Sequence, residues 1–153
     1  MSEKTFKLTV VSPDKLLAKD LEVTSVGARG TEGDFTALPG HLPFLTDLKP
    51  DVVRFRLPDG QVKEIFVSAG FVEVLPHEVI ILADSCEVPG EIDEERAERA
   101  RLRELNNLKQ LHEKAIRLGF VEEGELLSIK KSEIKLHRAM ARIKAAKKAR
   151  AGG

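Results

Sequence analysis

Few side chains in this sequence have the type and spacing that catalysis or metal binding requires. Residues 27–40 are rich in glycine, but no Lys-Ser or Lys-Thr pair follows them, so they do not match a phosphate-binding P-loop. The four histidines and the single cysteine are far apart in the sequence, and none has the spacing of metal ligands. Neither a phosphate-binding loop nor a metal site is therefore predicted.

Two residues have the chemistry of a base or a nucleophile. His41 lies in the segment 38–43 (LPGHLP), where no serine or cysteine nucleophile accompanies it, so a structural role in a turn is favoured over general-base catalysis. Cys86 follows the apolar run Val79–Ala83 and is interpreted as a small core residue. An independent enzyme is not predicted, because it would need polar groups clustered around His41. The expected function is binding.

Charge is distributed unevenly along the 153 residues, although 25 basic and 25 acidic side chains give a net charge of zero. Residues 1–90 carry a net charge of −5, residues 91–125 carry −3, and residues 126–153 carry +8, with nine basic groups and one acid. The neutral total argues against a nucleic-acid-binding protein held by a general basic field. The basic C-terminal segment is either a solvated helix face or a surface for an acidic partner. One cysteine excludes an internal disulfide framework.

Apolar residues up to about Glu87 follow the two-residue period of β-strands. The alternation is clearest at residues 6–10 and 53–57, where one face of each strand is expected to be buried. Further strands are predicted at Ile65–Val67, Phe71–Leu75 and Val79–Ala83, the last of them buried on both faces. Short strands at this spacing predict an antiparallel β-sandwich or flattened barrel over residues 1–87.

The pattern becomes helical after Pro89 and Gly90, and a helical hairpin is predicted over residues 88–153, which makes the fold class α+β. A first helix is expected at about 92–118, with Asp93 as N-cap and Gly119 as the left-handed stop. A second helix is expected at about 126–149. The predicted apolar stripes are Ala97, Ala100, Leu108, Leu111, Ala115 and Leu118 on the first helix and Ile129, Leu136, Met140 and Ile143 on the second.

Three ordered blocks of sequence resemble the epsilon subunit of rotary ATP synthases. They are Gly30–Phe35 with Leu38–Thr46, Val67–Val74 with Ile81–Asp84, and Ile92–Ala97. The resemblance covers nearly the whole chain, and the predicted order of sandwich and hairpin agrees with it. Two departures are visible: Thr36-Ala37 replaces a glycine followed by a bulky residue, and the stretch between Leu108 and Leu136 is longer than usual by about three helical turns.

The resemblance implies a non-catalytic rotor component of a proton-translocating synthase. In this family the sandwich grips the central gamma shaft and rests on the membrane ring of c subunits, so that proton flow is coupled to rotation. The loop Gly30-Thr31-Glu32-Gly33-Asp34 and the turn Pro39-Gly40-His41 match the end of the sandwich that meets the ring and the foot of the shaft. Simple turn geometry is the alternative explanation of these glycines.

The resemblance also implies a regulatory role for the hairpin. In this family the hairpin leaves the motor free when it is folded beside the sandwich. When it extends between the catalytic alpha and beta subunits, it suppresses ATP hydrolysis by contacting an acidic segment of beta. The matching basic residues of the C-terminal segment are Arg138, Arg142, Lys144, Lys147 and Lys148.

Some bacterial members bind ATP in the folded state, and ATP is the one regulatory ligand that the resemblance implies here, with no cofactor required. The matching positions are Glu87, Ile92, Asp93, Arg96, Ala97, Arg103, Arg138 and Arg142. Four converging guanidiniums are suited to a triphosphate, while Asp93 and Glu87 would contact adenine or ribose. The alternative is that Asp93 is an ordinary N-cap and that the arginines are solvated.

The same residues allow a second class of function, a free-standing helical-hairpin adaptor or holdase on a β platform. No apolar run approaches the ~20 residues that span a bilayer, and Met1–Lys7 resembles no signal or transit peptide. The expected location is therefore the cytoplasmic face of a bacterial inner membrane, with membrane association only through the complex. A plastid thylakoid is the alternative.

Overall fold

The computed structural model of the chain describes residues 4–152, which form two compact units that meet in the sequence between Glu91 and Ile92. The predicted boundary is between residues 87 and 88. Residues 1–3, which belong to the segment Met1–Lys7 that resembles no signal or transit peptide, lie outside the described residues. The strands of the first unit are β1 (Phe6–Ser12), β2 (Lys15–Val23), β3 (Ser25–Gly30), β4 (Gly33–Ala37), β5 (Phe44–Leu48), β6 (Asp51–Arg56), β7 (Val62–Val67), β8 (Gly70–Val74), β9 (Glu78–Ala83) and β10 (Cys86–Glu87), followed by a short 3-10 helix, Pro89–Glu91.

The strands form a nearly closed sandwich, which confirms the predicted fold of the N-terminal half. Their order is β10-β7-β6-β3-β5-β8-β9-β1-β2, and β4 pairs with β3. Pairs are antiparallel throughout residues 4–152 except for β1 and β9, which run parallel. The core consists of alternate residues from many strands, including Leu8, Val26, Val72 and Ile81, each 0% exposed. This alternation is the period from which the strands were predicted.

The prediction that Val79–Ala83 is buried on both faces is wrong. Val79 and Ile81 are fully buried, but Leu82 is 54% exposed. The run belongs to β9, whose side chains alternate between the core and the outer face of the sheet. Apolar residues on both faces of β9 therefore do not mean that both faces are buried. The outer face of this strand is partly exposed.

The second unit contains two helices, α1 (Glu94–Leu118) and α2 (Glu123–Gly152), joined by the four residues 119–122. Both predicted boundary residues of α1 are confirmed. The Asp93 carboxylate accepts a hydrogen bond from the backbone N–H of Arg96 at 3.0 Å, and Gly119 is left-handed with φ 80°. Helix α2 begins three residues before the predicted start at 126. Glu123 and Glu125 in its first turn favour that start, because they complement the positive end of the helix dipole.

On each helix a series of buried and half-buried residues recurs at alternating steps of three and four, and we call this series the helix seam; Ala145 of α2 is also buried but lies outside it. The seam residues are Ala97, Arg101, Glu104, Leu108 and Leu111 on α1, and Ile129, Ser132, Leu136, Ala139, Ile143 and Ala146 on α2. The predicted stripes are wrong at Leu118 and Met140, both exposed. After Leu136 the seam steps by three to Ala139 and then by four to Ile143, so Met140 points away from it. Most residues between Leu108 and Leu136 lie in the two helices, since the connection has only four residues; that this stretch is longer than usual stays a prediction.

Candidate functional sites

The predicted ring-contact loop is a tight turn between β3 and β4. Gly30 pairs with Gly33 at the end of the two strands, and Thr31 and Glu32 form the turn between them. Gly33 has φ 134°, a conformation that favours glycine. A Cβ added to Gly30 would lie 3.1 Å from both the carbonyl oxygen of Gly33 and Cγ2 of Thr46. Glycine at these two positions is therefore explained by the turn, whatever the turn contacts.

Arg29 anchors this turn to the neighbouring strand. Its Nε lies 3.3 Å from a carboxylate oxygen of Asp34, and its Nη1 lies 3.2 Å from a carboxylate oxygen of Asp51 at the start of β6. The Arg29 carbonyl also accepts a hydrogen bond from the N–H of Lys49 at 3.0 Å. Exposed ion pairs of this kind stabilise weakly, but they hold Asp34 in place beside the turn.

The predicted turn Pro39-Gly40-His41 lies at the other end of β4. Gly40 has φ 87°, and its N–H donates to the carbonyl of Pro76 at 2.8 Å. The His41 N–H donates to the carbonyl of Leu38 at 3.0 Å. The two predicted contact segments therefore leave opposite ends of one short strand, and their assignment to the ring and the shaft stays a prediction.

The His41 ring packs against backbone and aromatic groups. Its Nδ1 is 2.7 Å from the carbonyl oxygen of Leu42, and its ring centroid is 5.2 Å from that of Phe44. Phe44 in turn meets Phe35 of β4 edge-on at 4.9 Å. These contacts hold the chain between β4 and β5 against the sandwich, which is the structural role favoured for His41 by the sequence.

A surface that the sequence reasoning missed crosses four strands on the outside of the sandwich. Phe71 of β8 pairs with Leu82 of β9, Leu82 pairs with Val11 of β1, and Val11 pairs with Leu16 of β2. Directly paired residues project from the same face of a sheet. Phe71, Leu82 and Leu16 are each more than half exposed, and Val11 is half-buried. We call these four side chains the outer apolar row; the exposed Leu45 lies on the same face. The sequence signal for the outer apolar row was the apolar run Val79–Ala83 in β9. This run was interpreted as a strand with both faces buried.

The four arginines predicted to bind triphosphate share one property: each directly precedes a seam residue. In two antiparallel helices, residues that precede seam positions lie on the same side of the pair, so all four side chains start from one side of the hairpin. Arg96 and Arg103 are exposed, whereas Arg138 and Arg142 are half-buried. The Nε of Arg103 is 3.7 Å from a carboxylate oxygen of Glu104.

The other predicted nucleotide-binding residues have varied surroundings. Asp93 uses its carboxylate to cap α1, and Ile92 and Ala97 are buried. Glu87 belongs to β10 in the sandwich unit. ATP binding by this set stays a prediction.

The basic residues predicted to meet an acidic partner cluster near the C-terminal end of α2. Lys144, Lys147 and Lys148 are exposed, in contrast to the half-buried Arg138 and Arg142. Arg150, in the last turn, pairs with Glu94 of α1 at 2.8 Å. On α1 a hydrogen bond from Arg101 lowers the pKa of Glu98, with a smaller electrostatic contribution from Lys147. The three lysines are therefore the accessible part of the predicted basic surface.

The connected end of the hairpin, residues 113–127, is held by an ion pair between Lys114 and Glu125. The Glu125 hydrogen bond raises the pKa of Lys114, and the same contact lowers the pKa of Glu125. Several large apolar side chains around this pair are exposed: Ile116, Leu118, Phe120, Val121, Leu126 and Leu127.

Two general properties of residues 4–152 bear on function. No helix in that range is both long enough and apolar enough to cross a membrane. Within the same range, no three His, Cys, Asp or Glu side chains come together in a group that could hold a metal ion.

Comparison with known proteins places this architecture beside subunits of one enzyme complex. The family model described as ATP synthase, Delta/Epsilon chain, beta-sandwich domain matches residues 5–89. The ATP synthase epsilon chain of Syntrophobacter fumaroxidans is 38% identical over 149 residues, which are 97% of this chain and 99% of that protein. The epsilon chain of Bacillus subtilis is 45% identical over 100 residues, covering 65% of this chain and 74% of that protein.

Solved structures show the same fold. A chain in the cryo-EM structure of the Euglena gracilis mitochondrial ATP synthase, which includes the c-ring, aligns with a TM-score of 0.72 at 21% identity. The alignment covers 90% of this chain and 78% of that one. The likeness therefore extends over strands and helices together.

Proposed function

The chain belongs to the family of ATP synthase epsilon chains, which are non-catalytic stalk subunits, and we propose that its sandwich joins the gamma shaft to the c-ring while its hairpin regulates ATP hydrolysis. The observation that carries the docking half of this proposal is the outer apolar row. Contiguous apolar side chains on a sheet face are costly to leave in water and mark protein interaction surfaces. The gamma shaft is the proposed partner of this row.

A charge placed in the outer apolar row tests this assignment. Phe71→Glu and Leu82→Glu should each weaken binding to gamma in the reassembled complex at least tenfold, because a carboxylate would be desolvated in the interface. Val62→Glu is the matched control: Val62 is similarly exposed but lies on β7, away from the row. Equal binding by all three variants would refute the proposed surface. Recovery of the unaltered chain without gamma, in the soluble fraction, would instead support a free-standing adaptor.

The β3–β4 turn is the proposed contact with the c-ring. Its support is the match of this loop to the ring-facing end of the family's sandwich, together with the Arg29 ion pair that holds Asp34 beside the exposed tip. Glu32, exposed at the tip, is the residue expected to tolerate substitution in the isolated chain. Glu32→Lys should therefore leave folding unchanged and reduce proton-coupled ATP synthesis in reconstituted vesicles. Unchanged coupling would remove this contact from the proposal.

The regulatory half of the proposal rests on the exposed lysines of α2. Changing Lys144, Lys147 and Lys148 together to glutamine should relieve inhibition of ATP hydrolysis, because attraction to an acidic segment would be lost. The matched control changes Lys130, Lys131 and Lys135, three exposed lysines nearer the start of the same helix. The ATPase rate of the reassembled complex is the measurement. Equal rates for the two triple variants would mean that the position of the charges does not matter.

ATP is a proposed regulatory ligand of the hairpin. The support is the placement of Arg96, Arg103, Arg138 and Arg142 on one side of the helix pair, where their guanidiniums suit a triphosphate. Titration of the full chain with ATP should give a saturable change that Arg103→Ala weakens severalfold. The control is Arg99→Ala, because Arg99 is exposed on α1 away from the seam. Identical titrations of both variants would count against this site.

The synthase itself is a membrane-associated complex, and the relatives compared above include bacterial proteins. We place this chain at the cytoplasmic face of a bacterial inner membrane, in a proton-translocating synthase. Fractionation of the native organism tests that location: the chain should sediment with membranes and be released together with the catalytic subunits.

A further inference from the structure

A carboxylate is buried in the middle of the helix seam. Glu104 is 4% exposed and follows the seam spacing between Arg101 and Leu108. Its Oε2 accepts a hydrogen bond from Nδ2 of Asn107 at 3.4 Å, and its Oε1 is 3.7 Å from Nε of Arg103. Both of these partners come from its own helix, so neither contact ties α1 to α2.

The position of Glu104 along the hairpin is central. Ion pairs close the hairpin at both ends, Lys114 with Glu125 near the connection and Glu94 with Arg150 at the base. Glu104 lies midway between Lys114 and Glu94 on α1. Helix α2 contributes small residues to the seam, among them Ser132 and Ala139. The centre of the hairpin therefore combines these small side chains and the half-buried Leu108 and Leu136 with a buried carboxylate.

A buried charge at a seam position has two known physical effects. It selects one register of the paired helices, and it weakens their association. Register needs no further device here, because the connection of residues 119–122 already limits how the helices align. Weakened association is the effect that remains.

We propose that Glu104 is a built-in weak point that keeps the two helices of the hairpin separable. The inference deepens the proposed regulation, which requires a hairpin that changes its arrangement. A leucine at this position would extend the apolar part of the seam from Leu108 toward Arg101 and hold the helices together more tightly. The protein would then lose part of its ability to open rather than its ability to fold.

Hydrogen exchange of the full chain tests this role directly. Glu104→Leu should slow exchange of the protected amides of α1 and α2 about tenfold or more, since replacing buried charge with apolar side chains commonly stabilises. Glu104→Gln, which keeps the shape and removes the charge, should slow it less. Glu113→Leu is the matched control, because Glu113 is exposed on the same helix and should leave exchange unchanged. The amides of the sandwich should exchange equally in all variants.

Two results would overturn the proposal. One is faster or unchanged exchange of the helices in both Glu104 variants, which would make the carboxylate a stabilising or neutral group. The other is equal slowing by Glu113→Leu, which would make the effect a general consequence of added leucine. If Glu104→Leu fails to fold, the direction of change in Glu104→Gln decides the matter.

The reassembled synthase separates this inference from the proposed function. Glu104→Leu should raise ATP hydrolysis toward the rate of a complex whose chain is truncated after Gly90, because a hairpin that stays closed does not inhibit. If the truncation itself leaves hydrolysis unchanged, the regulatory proposal fails while the exchange result still reports on Glu104. A third outcome is that truncation raises ATP hydrolysis, whereas Glu104→Leu slows amide exchange without raising ATP hydrolysis. In that case, opening of the hairpin at Glu104 is not the regulatory step.

Discussion

The sandwich and the hairpin of this chain are stabilised in different ways. In the sandwich, apolar core side chains such as Leu8, Val72 and Ile81 are completely removed from water. In the hairpin, most of the buried residues are small, such as Ala97 and Ala139, and the charged Glu104 is buried with them. Burial of apolar area is the main favourable term in folding. An average contact in the sandwich therefore contributes more to folding stability than an average contact in the hairpin.

The difference matches the two mechanical tasks proposed for these units. A body that transmits torque has to resist deformation, and a densely packed β core with many long-range strand pairings is suited to this. A regulatory arm has to change its arrangement at modest cost, and a thin seam with a polar centre keeps that cost low. Substitutions of comparable size should therefore have larger effects in the sandwich than in the hairpin.

The largest effect is expected at Gly70. This residue has φ 147°, and a Cβ there would lie 2.1 Å from the carbonyl oxygen of Leu82 and 2.9 Å from Cα of Ala83. Gly70→Ala should cost about 4 kcal/mol of unfolding free energy, since strain and overlap with backbone add. Gly60→Ala is the control: Gly60 has φ 90° with open space around the Cβ position, and about 1 kcal/mol is expected. Urea denaturation of the two variants measures their losses of unfolding free energy. Equal losses would show that the overlap at residue 70 is relieved.

Truncating one leucine in each unit compares the two cores. Leu8→Ala should destabilise the sandwich by about 3 kcal/mol, because the residue is 0% exposed. Leu136→Ala, at a half-buried seam position, should destabilise the hairpin by about 1 kcal/mol. Chemical denaturation followed separately by strand and helix signals measures both. A larger loss at Leu136 would reverse the comparison.

The capping of α1 should contribute less. Asp93→Ala removes the acceptor of the 3.0 Å hydrogen bond from the Arg96 N–H and should cost the hairpin about 1 kcal/mol. Asp93→Asn keeps an acceptor and should recover most of this loss. Far-ultraviolet circular dichroism during thermal unfolding is a suitable measurement. If the two variants are equally destabilised, the carboxylate charge matters more than the cap.

The smallest effect concerns pH at the connected end of the hairpin. The hydrogen bond from Lys114 lowers the pKa of Glu125 below its ordinary value of 4.5, so the stabilisation is present above that value and is lost as pH falls through the lowered pKa. The raised pKa of Lys114 has the opposite sense: its stabilisation is present below 10.5 and is lost as pH rises through the raised value. Protection of the amides near residues 114–125, taken as their exchange rate relative to that of the unfolded chain at the same pH, should therefore be greatest between these limits. Glu125→Gln should remove the dependence at the acidic limit.

Local signals in the sequence were enough to predict several elements. Alternation at Phe6, Leu8 and Val10 predicted β1, since each strand residue is assigned to a face by its neighbours alone. Asp93 and Gly119 marked the ends of α1, because capping depends on a few adjacent residues. The blocks of sequence shared with epsilon chains predicted the family, which the comparisons confirm.

Other features depended on contacts between distant segments. The exposed row that includes Phe71 and Leu82 exists because β8, β9, β1 and β2 are neighbours, and the pairing of β1 with β9 joins opposite ends of the sandwich sequence. The burial of Glu104 depends on the seam, and the wrong assignment of Met140 has the same origin. A charged residue in a helix sequence looks solvated until the partner helix is placed.

By itself, the sequence determined where strands give way to helices, where α1 begins and ends, and which family the chain resembles. Each of these depends on the spacing and type of residues close together in the chain. The tertiary structure decided which apolar face of β9 stays open and which residues of α2 meet α1. Periodicity specifies that a face exists, whereas burial depends on what another part of the chain places against it.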